Sequence, residues 1–167
     1  MNFEHVRAAK RIHSCLGDIV IATSNSGLCG LWFDGQKHQP GLDTGLFDRP
    51  CDRLINVESQ LCAWFSGELK RFNIALDLSA GTSFQQAVWH QMLEIPAGRT
   101  LTYGEVAGRI RSSARAVGQA CGANRLPIVI PCHRIVAGNG MGGFAHRASG
   151  FPLNVKRWLL LHERGES

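Results

Sequence analysis

Residues 102–123 read TYGEVAGRIRSSARAVGQACGA, and this stretch predicts the architecture of the C-terminal half. Thr102 can cap a helix over residues 103–110, and Ser112-Ser113 can cap a second helix over residues 114–123. Two short helices joined by a tight turn are the outline of a helix-turn-helix. We therefore predict this motif over the whole stretch.

The second helix of this motif has an unusual outer face. At about 100° per residue, the helix separates an inner face of Ala114, Val117, Ala120 and Cys121 from an outer face of Arg115, Gly118, Gln119 and Gly122. Two glycines inside a helix cost roughly 1 kcal/mol each relative to alanine. Their presence is explained if a large partner comes very close to this face while Arg115 and Gln119 reach past it. The alternative is a weakly stable surface helix.

The charge of the chain is concentrated in the same half. Residues 1–82 hold 8 Lys+Arg and 9 Asp+Glu, a net of −1, whereas residues 83–167 hold 10 Lys+Arg and 4 Asp+Glu, a net of +6. Nine of those ten basic residues are arginine, the residue suited to phosphate and base contacts. The asymmetry is compatible with nucleic-acid binding and also with ordinary surface charge.

A candidate nucleophile follows an apolar segment. Residues 126–131 are predicted to form a short buried strand, which leads into Pro131-Cys132-His133-Arg134. The thiolate is the reactive form of cysteine, and a neighbouring histidine, arginine or helix end lowers the thiol pKa. Adjacency of cysteine and histidine is a weak signal by itself, because neighbouring side chains of an extended chain point apart. A bland core cysteine and a satisfied core histidine are the alternatives.

The terminal helix, predicted over residues 156–163, places a carboxylate beside apolar residues. Glu163 lies four residues after Leu159 and three after Leu160, so it borders the apolar face of that helix. A carboxylate in such a position requires a partner. The alternative is an acidic side chain on a frayed surface end.

The N-terminal half has a different pattern. Strands at residues 19–23 and 27–33 are predicted to form a hairpin, and a helix is predicted from Asp52 to Phe65. Alternation over residues 72–78 suits a strand with one buried face. Residues 79–83 are typical of a linker, and Ser83 is predicted to cap a helix over residues 84–93. The fold class is therefore α/β (α+β).

Composition limits the class of protein. Apolar residues make up 44% and charged residues 19% of the 167, which favours a packed core over disorder. No apolar run approaches the roughly 18 residues of a membrane span, and the N-terminus lacks a secretory pattern, so we expect a cytoplasmic protein without membrane contact. The six cysteines form no CxxC pair and are accompanied by no His-x3-5-His, so we expect free thiols and no metal.

Several motifs occur in a characteristic order. They are Phe84-Gln85-x-x-Val88-Trp89, Ile95-Pro96-x-Gly98-x-Thr100-x-Thr102-Tyr103-Gly104-Glu105-x-Ala107, Ala114-Arg115-Ala116-Val117-Gly118, Asn124 and Pro131-Cys132-His133-Arg134. Over residues 83–163 they strongly resemble the O6-alkylguanine-DNA alkyltransferase family, the methylated-DNA–protein-cysteine methyltransferases. The resemblance implies two domains, a small ribonuclease-H-like α/β domain at residues 1–80 and a mainly helical domain at residues 83–167. The second would contain the helix-turn-helix and the active-site strand.

The resemblance also implies the chemistry. Cys132 is similar to the thiol that accepts the alkyl group of O6-alkylguanine, in a single irreversible turnover without a cofactor. His133 resembles the base that draws the thiol proton through a water molecule, and Glu163 resembles the acid that orients this histidine. The implied partner of the chain, as a monomer, is the minor groove of double-stranded DNA that carries O6-alkylguanine, with O4-alkylthymine left open.

A second set of residues is implied to contact the DNA or the flipped base. Tyr103 resembles the tyrosine at the phosphate and leaving guanine, Arg115 the arginine that fills the vacated stack, and Asn124 a hinge. The set also includes Gln119, Arg134, Ile135 (through its backbone carbonyl, like Cys132), Phe144 and Ser149.

The chain departs from the family after Gly143. Phe144 stands where a tyrosine is usual, and the segment before Lys156 is about five residues longer. The donor to guanine O6 is therefore open between the backbone N–H groups of Ala145 and Ser149. Residues His13, Cys15, Cys29 and His38 do not match the spacing of the structural zinc site of some members.

Two other functions compete with the alkyltransferase. A catalytically silent module that recognises alkylated guanine would lack the acceptor cysteine, where such relatives usually carry tryptophan. A helix-turn-helix transcription regulator would leave the Cys-His pair beside Pro131 unexplained.

Overall fold

Helices and strands are mixed along the chain, which confirms the predicted α+β class. The computed structural model describes residues 5–33, 44–47, 49, 51–142 and 151–166. The chain divides into two units, Met1–Leu78 and Ser79–Ser167. In the described part of the chain, no helix is long and apolar enough to cross a membrane.

A three-stranded antiparallel sheet forms the centre of the first unit. Its strands are β1 (Ala8–Ser14), β2 (Gly17–Thr23) and β3 (Leu28–Phe33), in the order β1-β2-β3. The hairpin of β2 and β3 confirms the prediction from the sequence. Strand β1 was not predicted, because its small and charged residues have a low β-propensity and pairing with β2 along its whole length forms it.

Helix α1 (Asp52–Phe65) has the predicted bounds and buries Leu54, Val57, Leu61 and Trp64 along one stripe. The strand predicted over residues 72–78 is reduced to a single bridge, from Leu76 to Leu28. At Gly27 an added Cβ would lie 2.3 Å from the Ala75 carbonyl oxygen, so only glycine permits this close approach of the two backbones.

The second unit is mainly helical. Its elements are α2 (Ser83–Leu93), β4 (Leu101–Thr102), α3 (Tyr103–Arg109), α4 (Ala114–Gly122), β5 (Ile135–Val136) and α5 (Phe151–Arg164). Strands β4 and β5 pair in parallel, with Leu101 opposite Ile135. Helix α5 begins five residues before its predicted start, and Pro152 in its first turn is compatible with a helix N-terminus.

The helix-turn-helix caps are local and match the sequence. Thr102 and Glu105 form a reciprocal capping box at α3, and the Ser113 side chain accepts from the Ala116 backbone N–H at α4. The cap of α2 is Thr82, not Ser83, because Thr82 forms a capping box with Gln85.

The prediction of a strand over residues 126–131 is wrong. The backbone turns there, with the Ile130 N–H donating to the Leu126 carbonyl at 2.8 Å and Ile128 at a φ of 75°. Two prolines, which cannot donate to a strand ladder, bound this apolar run. Its apolar character reflects burial within a turn, since residues 128, 129 and 130 are all buried.

Candidate active site

The acceptor candidate Cys132 begins a 3-10 turn, Cys132–Arg134, that follows this buried turn. Its position is supported by Asn124, whose side-chain amide donates to the Ile130 carbonyl at 2.9 Å and whose carbonyl accepts from the Leu126 N–H at 2.9 Å. Burial raises the pKa of the Cys132 thiol, while a hydrogen bond with Asn124 and the charge of Lys156 act in the opposite direction. The net effect keeps the resting thiol protonated, so a base is needed to activate it.

His133 and Glu163 form a buried pair. His133 Nε2 lies 2.7 Å from Glu163 Oε1, and the histidine side chain has no exposed surface. Burial would raise the pKa of Glu163, but hydrogen bonds with His133 and Arg134 and their charges lower it to about 2. Burial lowers the pKa of His133. Glu163 is therefore a carboxylate that accepts from His133 Nε2–H.

This hydrogen bond determines which imidazole nitrogen can act as a base. A neutral imidazole with its proton on Nε2 carries a lone pair on Nδ1. His133 Nδ1 is buried and has no hydrogen-bond partner among the residues that the structure describes. Nδ1 is therefore available to accept a proton.

Arg134 is buried and contacts the same carboxylate. Its Nε lies 3.1 Å and 3.0 Å from the two carboxylate oxygens of Glu163, its Nη2 lies 2.7 Å from Oε1, and Nη1 donates to the Ile95 carbonyl. The sequence placed Arg134 among the residues that contact DNA. In the structure the guanidinium is buried and its donors are directed at Glu163 and Ile95.

Gly98 supplies a further donor that the sequence analysis did not single out. Its backbone N–H donates to Glu163 Oε2 at 3.1 Å, from a turn in which Gly98 has a φ of 73°. This left-handed conformation favours glycine. The signal was present in the Ile95-Pro96-x-Gly98 motif, but no local rule shows which distant side chain its N–H contacts.

Lys156 is a buried cation that the sequence reasoning also missed. Its side chain is fully buried, and Nζ donates to the Ile135 carbonyl at 2.6 Å and the Met141 carbonyl at 2.7 Å. Burial lowers its pKa to about 8, and the negative charge that the Cys132 and Cys121 sulfurs carry as thiolates acts in the opposite direction. The spacing gave a signal, because Lys156 lies seven residues before Glu163 and therefore on the same face of α5.

The outer face of α4 is as predicted at two positions. Arg115 and Gln119 are exposed, while Val117 and Ala120 are buried. Ala114, expected on the inner face, is exposed at the first position of the helix. It precedes the first complete turn and therefore has little contact with the core.

Tyr103 lies next to this face. Outside the backbone of α4, only the Tyr103 ring among the described residues comes within 4 Å of a Cβ built on Gly118, at 3.8 Å, an ordinary contact. Packing inside the unit therefore does not require glycine at this position. Burial raises the pKa of Tyr103 to about 12, so its hydroxyl is protonated at neutral pH.

Two of the predicted contact residues, Phe144 and Ser149, lie outside the described residues, as does Ala145, the other candidate donor to guanine O6. Within the described ranges, no group of three or more histidine, cysteine or acidic side chains could hold a metal ion.

Comparison with known proteins identifies the family. The model of the 6-O-methylguanine DNA methyltransferase DNA-binding domain matches residues 83–165. The methylated-DNA–protein-cysteine methyltransferase of Mycobacterium tuberculosis is 38% identical over 166 residues, which cover 95% of this chain and 93% of the relative. The one from Methanosarcina mazei is 39% identical over 152 residues, covering 89% and 92%.

Solved structures agree. A crystal structure of M. tuberculosis O6-methylguanine methyltransferase superimposes with a TM-score of 0.81 at 36% identity, covering 96% of this chain and 94% of that one. A crystal structure of the M. tuberculosis protein in complex with DNA superimposes with a TM-score of 0.80 at 36% identity, with the same coverage. The 3-10 turn carries Cys132 and His133, and His133 contacts Glu163. Together with these similarities, this shows that the chain belongs to the methylated-DNA–protein-cysteine methyltransferase family.

Proposed function

We propose that this protein repairs DNA directly, by moving the alkyl group of O6-alkylguanine onto Cys132. The observation that carries the proposal is the buried His133–Glu163 pair beside a protonated, buried thiol, in a chain of this family. Such a pair is what a thiol without an intrinsically low pKa needs in order to become a nucleophile.

The proton path follows from the tautomer. His133 Nδ1 takes the Cys132 proton through a bridging water, and the Glu163 carboxylate stabilises the imidazolium that results. The thiolate sulfur then attacks the alkyl carbon, the S–C bond forms, and the C–O6 bond breaks with its electron pair moving to the guanine. The guanine takes up a proton, for which the protonated Tyr103 hydroxyl is the proposed donor.

The product on Cys132 is a thioether, which has no good leaving group. Each protein molecule therefore reacts once. The test is incubation with duplex DNA that carries labelled O6-methylguanine, followed by digestion and mass spectrometry. We expect transfer to reach a plateau near one methyl group per protein, all of it on the Cys132 peptide. Continued turnover with excess damaged DNA would contradict the acceptor mechanism.

A matched pair of variants separates transfer from binding. Cys132→Ser should abolish transfer and leave DNA affinity unchanged, because the thiol contacts no phosphate. Cys121→Ala is the control. It removes a partly buried thiol on α4, and the variant should accept methyl groups normally. If Cys132→Ser still accepted methyl groups, the protein would use another residue. If the unaltered chain bound alkylated DNA without any transfer, it would be a silent recognition module.

Access to the lesion requires base flipping, because the alkyl carbon cannot be reached inside the duplex. We propose that α4 enters the minor groove, with Arg115 filling the stack left by the extruded nucleotide and Gln119 contacting the DNA beside it. The exposure of both side chains supports this arrangement. Asn124 serves as the hinge, and the carbonyls of Cys132 and Ile135 accept from the guanine amino group.

We further propose that the protein acts as a monomer in the cytoplasm and needs no cofactor. All six cysteines are free thiols, the state that a reducing compartment maintains.

The three-stranded sheet with α1 supports a ribonuclease-H-like N-terminal domain at residues 1–80, followed by the alkyltransferase domain at residues 83–167. Phe144 is proposed to line the guanine pocket by its ring, and the backbone N–H of Ala145 or Ser149 is proposed to donate to guanine O6.

A further inference from the structure

The Glu163 carboxylate is held by more than its catalytic partner. Oε1 receives His133 Nε2 at 2.7 Å and Arg134 Nη2 at 2.7 Å. Oε2 receives the Gly98 backbone N–H at 3.1 Å and Arg134 Nε at 3.0 Å. Two separate parts of the second unit, the turn after α2 and the 3-10 turn, therefore converge on one carboxylate of α5.

Arg134 has the geometry of a fixed support. Its guanidinium is a rigid, always charged fork that matches a carboxylate. It is anchored at its other end, because Nη1 donates to the Ile95 carbonyl. Only 7% of the residue is exposed, so the contact is shielded from water and salt.

We propose that Arg134, with the Gly98 backbone N–H, is a positioning residue that keeps Glu163 as a carboxylate facing His133 Nε2, and so reserves Nδ1 for the Cys132 proton. This inference rests on the proposed function. The family resemblance implied that Arg134 contacts DNA. In the structure it contacts Glu163, the carboxylate partner of His133, instead.

The physical reason lies in the two tautomers of His133. A carboxylate can only accept, so it selects the imidazole with Nε2–H and a free Nδ1. A protonated Glu163 could donate to Nε2, which would leave the proton on Nδ1 and remove the base. Without Arg134, the buried Glu163 carboxylate loses the permanently charged partner that, after His133, lowers its pKa, and it becomes protonated at higher pH. The loss of Arg134 should therefore act through proton transfer.

The experiment measures single-turnover methyl transfer from an O6-methylguanine duplex, with protein in saturating excess, across a pH series. Arg134→Met should lower the maximal rate about tenfold to a hundredfold, and move the acid limb of the pH profile to higher pH. Arg134→Lys, which keeps the charge and loses the fork, should recover part of the rate. Arg157→Met is the control, because it removes the same charge from an exposed position on α5.

Three outcomes would overturn the inference. A folded Arg134→Met with the rate and pH profile of the unaltered protein would leave Arg134 a structural role only. Weaker DNA affinity with an unchanged saturated rate would return Arg134 to the DNA. A rate loss without a shift of the acid limb would show that the variant perturbs the site in another way.

A second measurement keeps the test valid if Arg134→Met does not fold, since breaking a buried ion pair is strongly destabilising. Nitrogen NMR of the imidazole in the unaltered chain should show the His133 proton on Nε2 and Nδ1 unprotonated at neutral pH. An Nδ1–H tautomer would refute the inference. Failure of the proposed function is distinct: the unaltered chain would then take up no methyl group on Cys132.

Discussion

Glu163→Gln should remove a large and strongly pH-dependent part of the stability of the second unit. Glutamine keeps the shape of the side chain but not its charge, so the buried Arg134 guanidinium loses its counter-ion. The pKa of Glu163 is lowered to about 2 in the folded chain, from an ordinary value of 4.5. The unfolded chain therefore binds more protons between these values, and the contribution of Glu163 is complete above pH 4.5 and lost as the pH falls towards 2.

The magnitude follows from this difference in pKa. At about 1.4 kcal/mol for each pH unit, ionised Glu163 contributes about 3 kcal/mol to the free energy of unfolding at neutral pH. This agrees with the roughly 3–5 kcal/mol that breaking a buried ion pair costs. The free energy of unfolding of the unaltered protein should therefore be about 3 kcal/mol higher than that of Glu163→Gln near pH 7. This difference should be smaller by about 2 kcal/mol near pH 3.

The assay is urea unfolding of both proteins over that pH range, followed by tryptophan fluorescence. Hydrogen exchange of peptides from residues 83–142 assigns the transition to the second unit. A constant difference between the two proteins at all pH values would refute the reasoning, because it would show that Glu163 is not ionised against His133 and Arg134. A difference that grew on acidification would contradict the sign.

Three further predictions concern α4 and Lys156. Arg115→Ala should slow transfer from duplex DNA while transfer from free O6-benzylguanine changes little; equal slowing would give Arg115 a role in the fold or the pocket. Gly118→Ala should stabilise α4 by up to about 1 kcal/mol and still weaken binding to duplex DNA, measured by thermal unfolding and fluorescence anisotropy; unchanged affinity would argue against close approach of DNA there. Because burial lowers the pKa of Lys156 to about 8 from 10.5, the unfolding free energy of the unaltered chain relative to Lys156→Met should rise with pH across that window; a flat difference would place the pKa elsewhere.

Local signals in the sequence determined the helices of the second unit. The caps at Thr102 and Ser113 act within three residues of their partners, so reading the chain in short windows was sufficient to predict α3 and α4. The same is true of α1, whose apolar stripe repeats at the helical period. Cys132 and His133 were singled out by the Pro-Cys-His-Arg run, and Glu163 by its place beside an apolar face. Their roles remain proposals that rest on the resemblance and the geometry.

Only the tertiary structure decided where the buried charges find their partners. The contacts of Glu163 with Arg134 and Gly98 span 29 and 65 residues, and those of Lys156 with Ile135 span 21. No periodicity links positions so far apart, and an arginine in a basic half of the chain is equally compatible with a DNA surface or a buried ion pair. The apolar run at residues 126–131 was likewise ambiguous, because burial selects the same residue types in a turn as in a strand. What separated these alternatives was the cost of burying a charge without a counter-charge, which is determined by the folded chain as a whole.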